Sequence, residues 1–267
     1  PYGKYLCFDA VAQSAGGSFS ITGVDGELPL RPGATLGDTG TGLHCTSGLL
    51  AALNQRLTTG RGQKIEIAMH ESVINFCRMA FAQNLATGHP PKRACDRNIY
   101  RCKGEGPNDY CYVGAEGLDN EQWQRLLAAI GKQSLSADAR FATPRARAEH
   151  AQDIDALLGA WCRDQDKTQA MDLLQRAGVP AGAVFDASEL VKDPELRKSG
   201  ILVEIQHPVI GPFVAPGFAV KMTESHVPVR SAPLLGANTE AVLAEWLGLG
   251  KQEIEGLREA LVATPVK

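Results

Sequence analysis

The chain has 267 residues, 44% hydrophobic and 21% charged, with a formal net charge of −3 and a pI near 6.1. It is long and apolar enough to bury a sizeable core and to hold more than one packing unit. The charge balance lacks the basic excess of a nucleic-acid binder and the polybasic block of a protein that sits on an anionic membrane, so small-molecule chemistry is the expectation.

No charged-then-apolar leader and no apolar run of spanning length is present, which places the expected location in the cytoplasm. The sequence opens at Pro1 without a methionine, as a processed chain or a piece of a longer one would. Seven cysteines (Cys7, Cys45, Cys77, Cys95, Cys102, Cys111 and Cys162) are an odd number without C-x-x-C spacing. That argues against a disulfide framework or a metal site and for reduced packing residues.

In chain order, turn signals at Gly16-Gly17 and Pro32-Gly33 precede leucines 43, 49, 50, 53 and 57, whose helical spacing predicts a helix from about Gly42 to Leu57, stopped by Thr58-Thr59-Gly60. "KIEIAMH" then alternates Ile65, Ile67 and Met69 against Lys64, Glu66 and Ala68, the period of a half-buried strand. Glu71 to Thr87 reads as a helix closed by Gly88 and Pro90-Pro91. The basic segment Lys92 to Arg101, with Arg93 and Arg97, reads as a linker or binding loop.

A second unit follows. It has a strand over Tyr110 to Ala115 and helices over Glu121 to Ile130, Arg145 to Cys162 and Lys167 to Ala177. A short strand then ends at Asp186. "KDPELRKSG" is a capped helical turn stopped by Gly200, and "ILVEIQHPVIGPFV" is a hairpin around Pro208 to Gly211. Amphipathic helices over Thr239 to Leu247 and Lys251 to Leu261 close the chain. The sum is an α/β protein with a helical insert.

Several catalytic signatures are excluded. Gly37, Gly40 and Gly42 do not have dinucleotide spacing, no apolar strand precedes them, and residue 62, where a ribose-binding acid would fall, is glycine. "HESVI" lacks the second histidine of a zinc-protease helix, and no G-x-S-x-G elbow occurs. His44 and Cys45 diverge by about 100° on a helix and cannot pair as base and nucleophile.

"TLGDTGTGLH", residues Thr35 to His44, remains. An aspartate among glycines ahead of a helix is usually a cap or turn former, and local sequence favours that role for Asp38. The chemical alternative has a physical basis. A free carboxylate is ionised at neutral pH, glycines leave room for a carbonyl to approach, and N–H groups of Gly40 to Gly42 at a helix start would stabilise an oxyanion. A carboxylate is a weak nucleophile, so the chemistry requires an activated acyl donor such as a thioester.

"LGDTGTGLH" and "GLLAALNQRLTTGRGQKIEIAMHESV" resemble the class III (CaiB/BaiF type) CoA-transferases, which include formyl-CoA:oxalate and carnitine CoA-transferases. The resemblance continues through "YRCKG", "AGVPAGAVFDASELVKDPELRKSGILVEIQHPVIGP" and "SAPLLGANTEAVLAEWLG", and covers nearly the whole chain. It implies that Asp38 is the catalytic aspartate, acting through a mixed anhydride and an aspartyl-CoA thioester. The substrates would be an acyl-CoA and an acceptor carboxylic acid, with no tightly bound cofactor and no metal. The family also contains α-methylacyl-CoA racemases, whose partner histidine lies thirty residues before the aspartate. Here that position is Phe8, which fits a transferase lacking the usual hydroxyl, and a core phenylalanine equally well.

Three departures follow from the same comparison. The region "GHPPKRACDRN", where the formyl-CoA:oxalate enzymes carry a glycine-rich loop, holds only Gly88, which argues against oxalate as acceptor. Leu6 replaces a basic residue, with Lys4 as a substitute toward CoA phosphates. The family's first Rossmann half has no counterpart before Pro1. The expected organisation is therefore part of a Rossmann-like large domain over 1–90, a small α/β domain over 95–193, and a linker with a C-terminal return over 194–267. The resemblance further implies an interlocked homodimer, or a partner subunit supplying the N-terminal half. Arg93 and Arg97 are candidates for a second carboxylate or CoA phosphate, against the plain reading of a solvated loop. A racemase-like isomerase and a non-catalytic partner or truncated remnant are the competing functions.

Overall fold

The structure, a computed structural model, describes residues 4–93 and 98–263, with side chains through 260. It is a mixed α/β protein that divides into two compact units. One comprises Pro1–Lys103 and Cys111–Gly182, the other Gly104–Tyr110 and Ala183–Lys267.

The first unit opens with helix α1 (Asp9–Ala15), a 3-10 turn (Ser18–Ile21) and the long helix α2 (Leu36–Thr59). Helices α3 (Met69–Phe76) and α4 (Arg78–Thr87) follow. Helix α2 starts six residues earlier than its leucine spacing predicts. It ends where the sequence says it should, at Gly60, whose φ of 71° is left-handed and whose N–H donates to Arg56 O at 2.9 Å. The single helix expected over Glu71 to Thr87 is broken at Cys77. Its N–H is shared between Val73 O at 3.1 Å and Ile74 O at 3.0 Å, so the last turn of α3 tightens, and α4 starts at Arg78.

The strand expected at "KIEIAMH" does not form. Residues 61–68 run without helix or strand hydrogen bonding, and Met69 and His70 already belong to α3. Alternation supplies a face but not a ladder, and no described segment pairs with this one.

Helix α2 has two apolar faces. Gly37, Gly40 and Ala52 are buried and Gly48 half-buried, small residues that share one helical face, with His44 between Gly40 and Gly48. This face lets α1 and α3 approach: a Cβ on Gly37 would lie 3.1 Å from Ala12 Cβ, and one on Gly40 would collide with the Phe76 ring. The small core of this layer is Ala12, Val73 and Cys77. The leucines that announce the helix in the sequence point elsewhere, and Leu43, Leu50, Leu53 and Leu57 are all more than half exposed.

The remainder of the first unit carries the main core. Strands β1 (Ile99–Arg101), β2 (Tyr110–Val113) and β3 (Ala181–Ala183) form a sheet with β2 in the centre. Four helices accompany it: α5 (Asn120–Ala129), α6 (Pro144–Glu149), α7 (Ala151–Arg163) and α8 (Lys167–Arg176). Strand β1 lies at the end of the segment expected to be a loop. Helix α5 starts with a capping box, Asp119 accepting from Gln122 N at 2.7 Å while Gln122 Oε1 accepts from Asp119 N at 3.0 Å. Trp123, Leu126, Leu127, Leu158, Leu174 and Val113 are buried together with Cys102, Cys111 and Cys162. Burial pushes the Cys111 thiol up to about 11 and the Cys162 thiol higher still, which keeps both unreactive, as packing residues should be. Arg147 is buried here, and no carboxylate among the described residues hydrogen-bonds it. It donates to Asn120 Oδ1 at 3.0 Å, Phe141 O at 3.0 Å and Leu118 O at 2.6 Å, with its guanidinium over the Trp123 ring.

The second unit holds α9 (Ala187–Leu190), α10 (Pro194–Lys198) and the hairpin β4 (Leu202–His207) to β5 (Gly211–Pro216), then α11 (Thr239–Leu247) and α12 (Lys251–Ala263). The hairpin is antiparallel, with Leu202 opposite Pro216 and His207 opposite Gly211, as the Pro208 to Gly211 turn predicts.

The contrast between the cores gives a test by chemical denaturation. Leu126→Ala, at a fully buried position, should lose about 2–5 kcal/mol. Leu57→Ala, at a position 86% exposed, should change stability by no more than about 0.5 kcal/mol. Equal losses would show that the leucine face of α2 is packed in solution.

Candidate active site

The sequence "GDTGTG" is helical throughout. Thr35 is the N-cap, and Asp38 is the third residue of α2. The cap position is thus not the aspartate's. Nor does Thr35 cap with its side chain, since its hydroxyl pairs with that of Thr39 at 2.7 Å.

The capping anion comes from another helix. Asp9, in the first turn of α1, is only 7% exposed. Its Oδ1 accepts from the backbone N–H of Gly37 at 2.9 Å and of Asp38 at 3.3 Å. Its Oδ2 accepts from Gln13 Nε2 at 2.7 Å and Arg31 Nη2 at 2.9 Å. Gln13 is itself buried and donates also to Ala34 O at 3.1 Å, which ties down the approach to α2. Burial alone would raise the Asp9 carboxyl; the hydrogen bonds from Gln13, Asp38, Gly37 and Arg31 together outweigh it and hold the group below the ordinary carboxylate value.

This arrangement corrects the expected glycine loop with free N–H groups. Gly37 gives its N–H to Asp9, while Gly40 and Gly42 lie beyond the first turn, where backbone donors belong to the helix ladder. The three glycines have different reasons to be small. A Cβ at Gly37 would meet Asp9 O at 2.9 Å and Oδ1 at 3.0 Å, one at Gly40 would enter the Phe76 ring, and one at Gly42 would meet nothing.

Asp38 itself is exposed, and its carboxylate accepts no hydrogen bond from any described residue. His44 is committed elsewhere, with Nδ1 at 2.8 Å from Gly40 O and its ring edge-on to Phe76. Phe8 is the N-cap of α1 and 76% exposed. Phe8 thus packs in no core of the described residues, and it stands one residue before the carboxylate that holds the Asp38 backbone.

The basic candidates separate. Lys4 is exposed. Arg93 is occupied: Nε donates to Val24 O at 3.1 Å and Nη2 to Glu27 O at 2.5 Å, while Lys92 faces Asp25 at 3.8 Å. The run thus fastens the 24–27 turn to the end of the helical layer instead of presenting Arg93 to a ligand. Arg97, like Cys95, lies outside the described residues. No group of residues able to hold a metal ion occurs among the described ones.

Sequence reasoning missed Asp9, Gln13 and Arg31. "FDAVAQ" places Asp9 and Gln13 four apart, one turn of helix, which is the local signal for the pair. Nothing local joins them to Gly37.

The family model for CoA-transferase family III matches residues 1–239. A formyl-CoA:oxalate CoA-transferase of Streptomyces coelicolor is 34% identical, over 97% of this chain and 68% of its own length. One from Rhodopseudomonas palustris (strain BisB18) is 32% identical, over 99% and 68%. Among solved structures, a CAIB/BAIF family protein from Brucella suis has a TM-score of 0.74 at 25% identity, covering 92% of this chain and 64% of that one. The Rv3272 protein of M. tuberculosis, at 20% identity, shares the fold with a TM-score of 0.72, over 90% and 64%. The chain thus spans about two thirds of the proteins it matches.

Two tests follow from the geometry. Gly37→Ala and Gly40→Ala should each cost about 1–3 kcal/mol through overpacking, whereas Gly42→Ala should be neutral or stabilise by up to about 1 kcal/mol, as alanine does in open helix. Denaturant midpoints check the order. For pH, the folded Asp9 carboxyl lies below its unfolded value, so protonation favours unfolding. Its contribution is complete above the ordinary carboxylate value of about 3.9 and is lost as pH falls through the folded value. Asp9→Asn should therefore flatten the acid side of a plot of Tm against pH, and a slope equal to that of the parent would contradict the assignment.

Proposed function

The chain belongs to CoA-transferase family III, and we propose that it carries, in Asp38, the nucleophile that moves coenzyme A from an acyl-CoA to an acceptor carboxylic acid. The observation that supports this most is the state of the α2 N-terminus. The backbone donors beside Asp38 are consumed by Asp9, which leaves an exposed carboxylate with its lone pairs uncommitted among the described residues.

The chemistry balances without a cofactor or an external base. One Asp38 oxygen attacks the thioester carbon, the carbon–sulfur bond breaks, and CoA thiolate leaves with its electron pair. The thiolate attacks the aspartyl carbon of the resulting mixed anhydride, releasing the donor acid as carboxylate and leaving an aspartyl-CoA thioester. The acceptor carboxylate then attacks that thioester and displaces the thiolate. Attack of the thiolate on the acceptor's carbonyl carbon gives the new acyl-CoA and regenerates Asp38. Proton abstraction at an α-carbon, the isomerase alternative, gains nothing from Phe8, which has no proton to exchange.

The activity of the formyl-CoA:oxalate relatives makes formyl-CoA the first donor to test and oxalate the first acceptor, even though the region after Gly88 lacks the glycine-rich loop of those enzymes. Arg93, being occupied, is not proposed as a ligand for a second carboxylate. Lys4 and Phe8, both exposed, remain the proposed contacts to substrate or CoA on this chain. The open leucine face of α2 supports a covering surface from further protein, either a second subunit or the part of the relatives that this chain does not span.

The test is trapping. Protein incubated with formyl-CoA, without acceptor, and then treated with hydroxylamine should carry a hydroxamate on the peptide containing Asp38, because both acyl intermediates expose an activated aspartyl carbonyl. Asp38→Asn should remain unlabelled. Labelling of a different residue, or none while CoA is still exchanged, would contradict the proposal.

A further inference from the structure

The N-terminus of a helix is a ready site for an anion, because its first N–H groups lack intrahelical acceptors and the dipole favours negative charge. In α2 that site is filled from within. Asp9 takes the Gly37 and Asp38 amides on one oxygen, and its other oxygen is fixed by Gln13 and Arg31. Two consequences follow for Asp38. Its backbone is pinned at its own amide by a buried group, so the direction in which its side chain leaves the helix is set. Those two donors are also closed to the Asp38 carboxylate, which would lose nucleophilicity if it bonded them.

We infer that Asp9, braced by Gln13 and Arg31, is a positioning residue for the chemistry at Asp38, and that Gly37 is glycine so that this carboxylate can come close enough. The inference rests on the reading of Asp38 as nucleophile, and Asp9 touches neither thioester nor CoA in it. Removing the Asp9 charge should therefore reduce the rate of the acyl step and leave donor affinity unchanged. A purely structural role would instead lower the amount of folded, competent protein without altering what that fraction does.

The experiment measures hydroxamate formation at Asp38 against formyl-CoA concentration, together with hydrogen exchange of the Gly37 and Asp38 amides, in the parent, Asp9→Asn and Asp9→Glu. All three are assayed well below their melting temperatures. Asp9→Asn is expected to lower the limiting rate on the order of 100-fold, the cost of a small misplacement of a reacting group. Its half-saturating formyl-CoA concentration should stay within about threefold, since no binding contact is removed. Exchange at the two amides should accelerate in Asp9→Asn, and Asp9→Glu, which keeps the charge, should recover at least part of both losses. An unchanged limiting rate in Asp9→Asn, or a loss matched by the unfolded fraction, overturns the positioning role. A parent protein that never labels at Asp38 overturns the functional reading and its chemical consequence together. In that case the exchange arm still shows whether Asp9 holds the helix start, and equal exchange in parent and Asp9→Asn refutes that as well.

Discussion

Two backbone N–H groups at the start of α2, those of Gly37 and Asp38, have no carbonyl to accept them, and a buried carboxylate on α1 accepts both. Much of the N-terminal layer follows from this bond set. It requires α1 to lie against the first turn of α2, which only a glycine at 37 allows. It requires a counter-donor for the rest of the Asp9 carboxylate, found in Gln13 one turn along α1 and in Arg31 on the approach to α2. A carboxylate buried without such partners would cost several kcal/mol or become protonated. The network therefore tends to be kept or lost as a unit.

The same bonds explain how a motif that reads as a cap can serve as a reagent. The cap is present, but Asp9 provides it, and Asp38 is left facing outward. Local sequence favours the cap for Asp38 because the competing acceptor is 28 positions away and no pattern within the motif announces it. Once the backbone donors are spoken for, an exposed carboxylate beside open space at Gly42 has no structural duty among the described residues.

What could be read from the sequence was mostly what depends on near neighbours. The stops at Gly60 and Gly88, most helices of the second half and the β4–β5 hairpin are set by capping, periodicity and turn chemistry, and appear close to their expected places, although the single helix expected over Arg145 to Cys162 breaks at His150 into α6 and α7. Failures occurred where a distant partner decides. The alternation at Ile65 and Ile67 finds no ladder, and "FDAVAQ" becomes helix α1 because it packs on α2 and α3. Arg93 turns from a candidate ligand into a clasp on the Val24 and Glu27 carbonyls. The leucines of α2 predict the helix but not its described packing, which runs through Gly37, Gly40, Gly48 and Ala52. Asp38 was legible as a candidate from its motif and from the family resemblance. Its support by Asp9 required the fold.

Oxygen bookkeeping tests the central claim most directly. In the aspartyl route each cycle hands one Asp38 oxygen to the departing donor acid and replaces it with one from the acceptor. A single turnover with an acceptor acid carrying heavy oxygen in its carboxylate should therefore leave one heavy oxygen in the side chain of Asp38, seen by mass spectrometry of the peptide that contains it. Transfer of CoA to the labelled acid with no heavy oxygen in Asp38 would show that another group, or direct attack by the acceptor, performs the exchange.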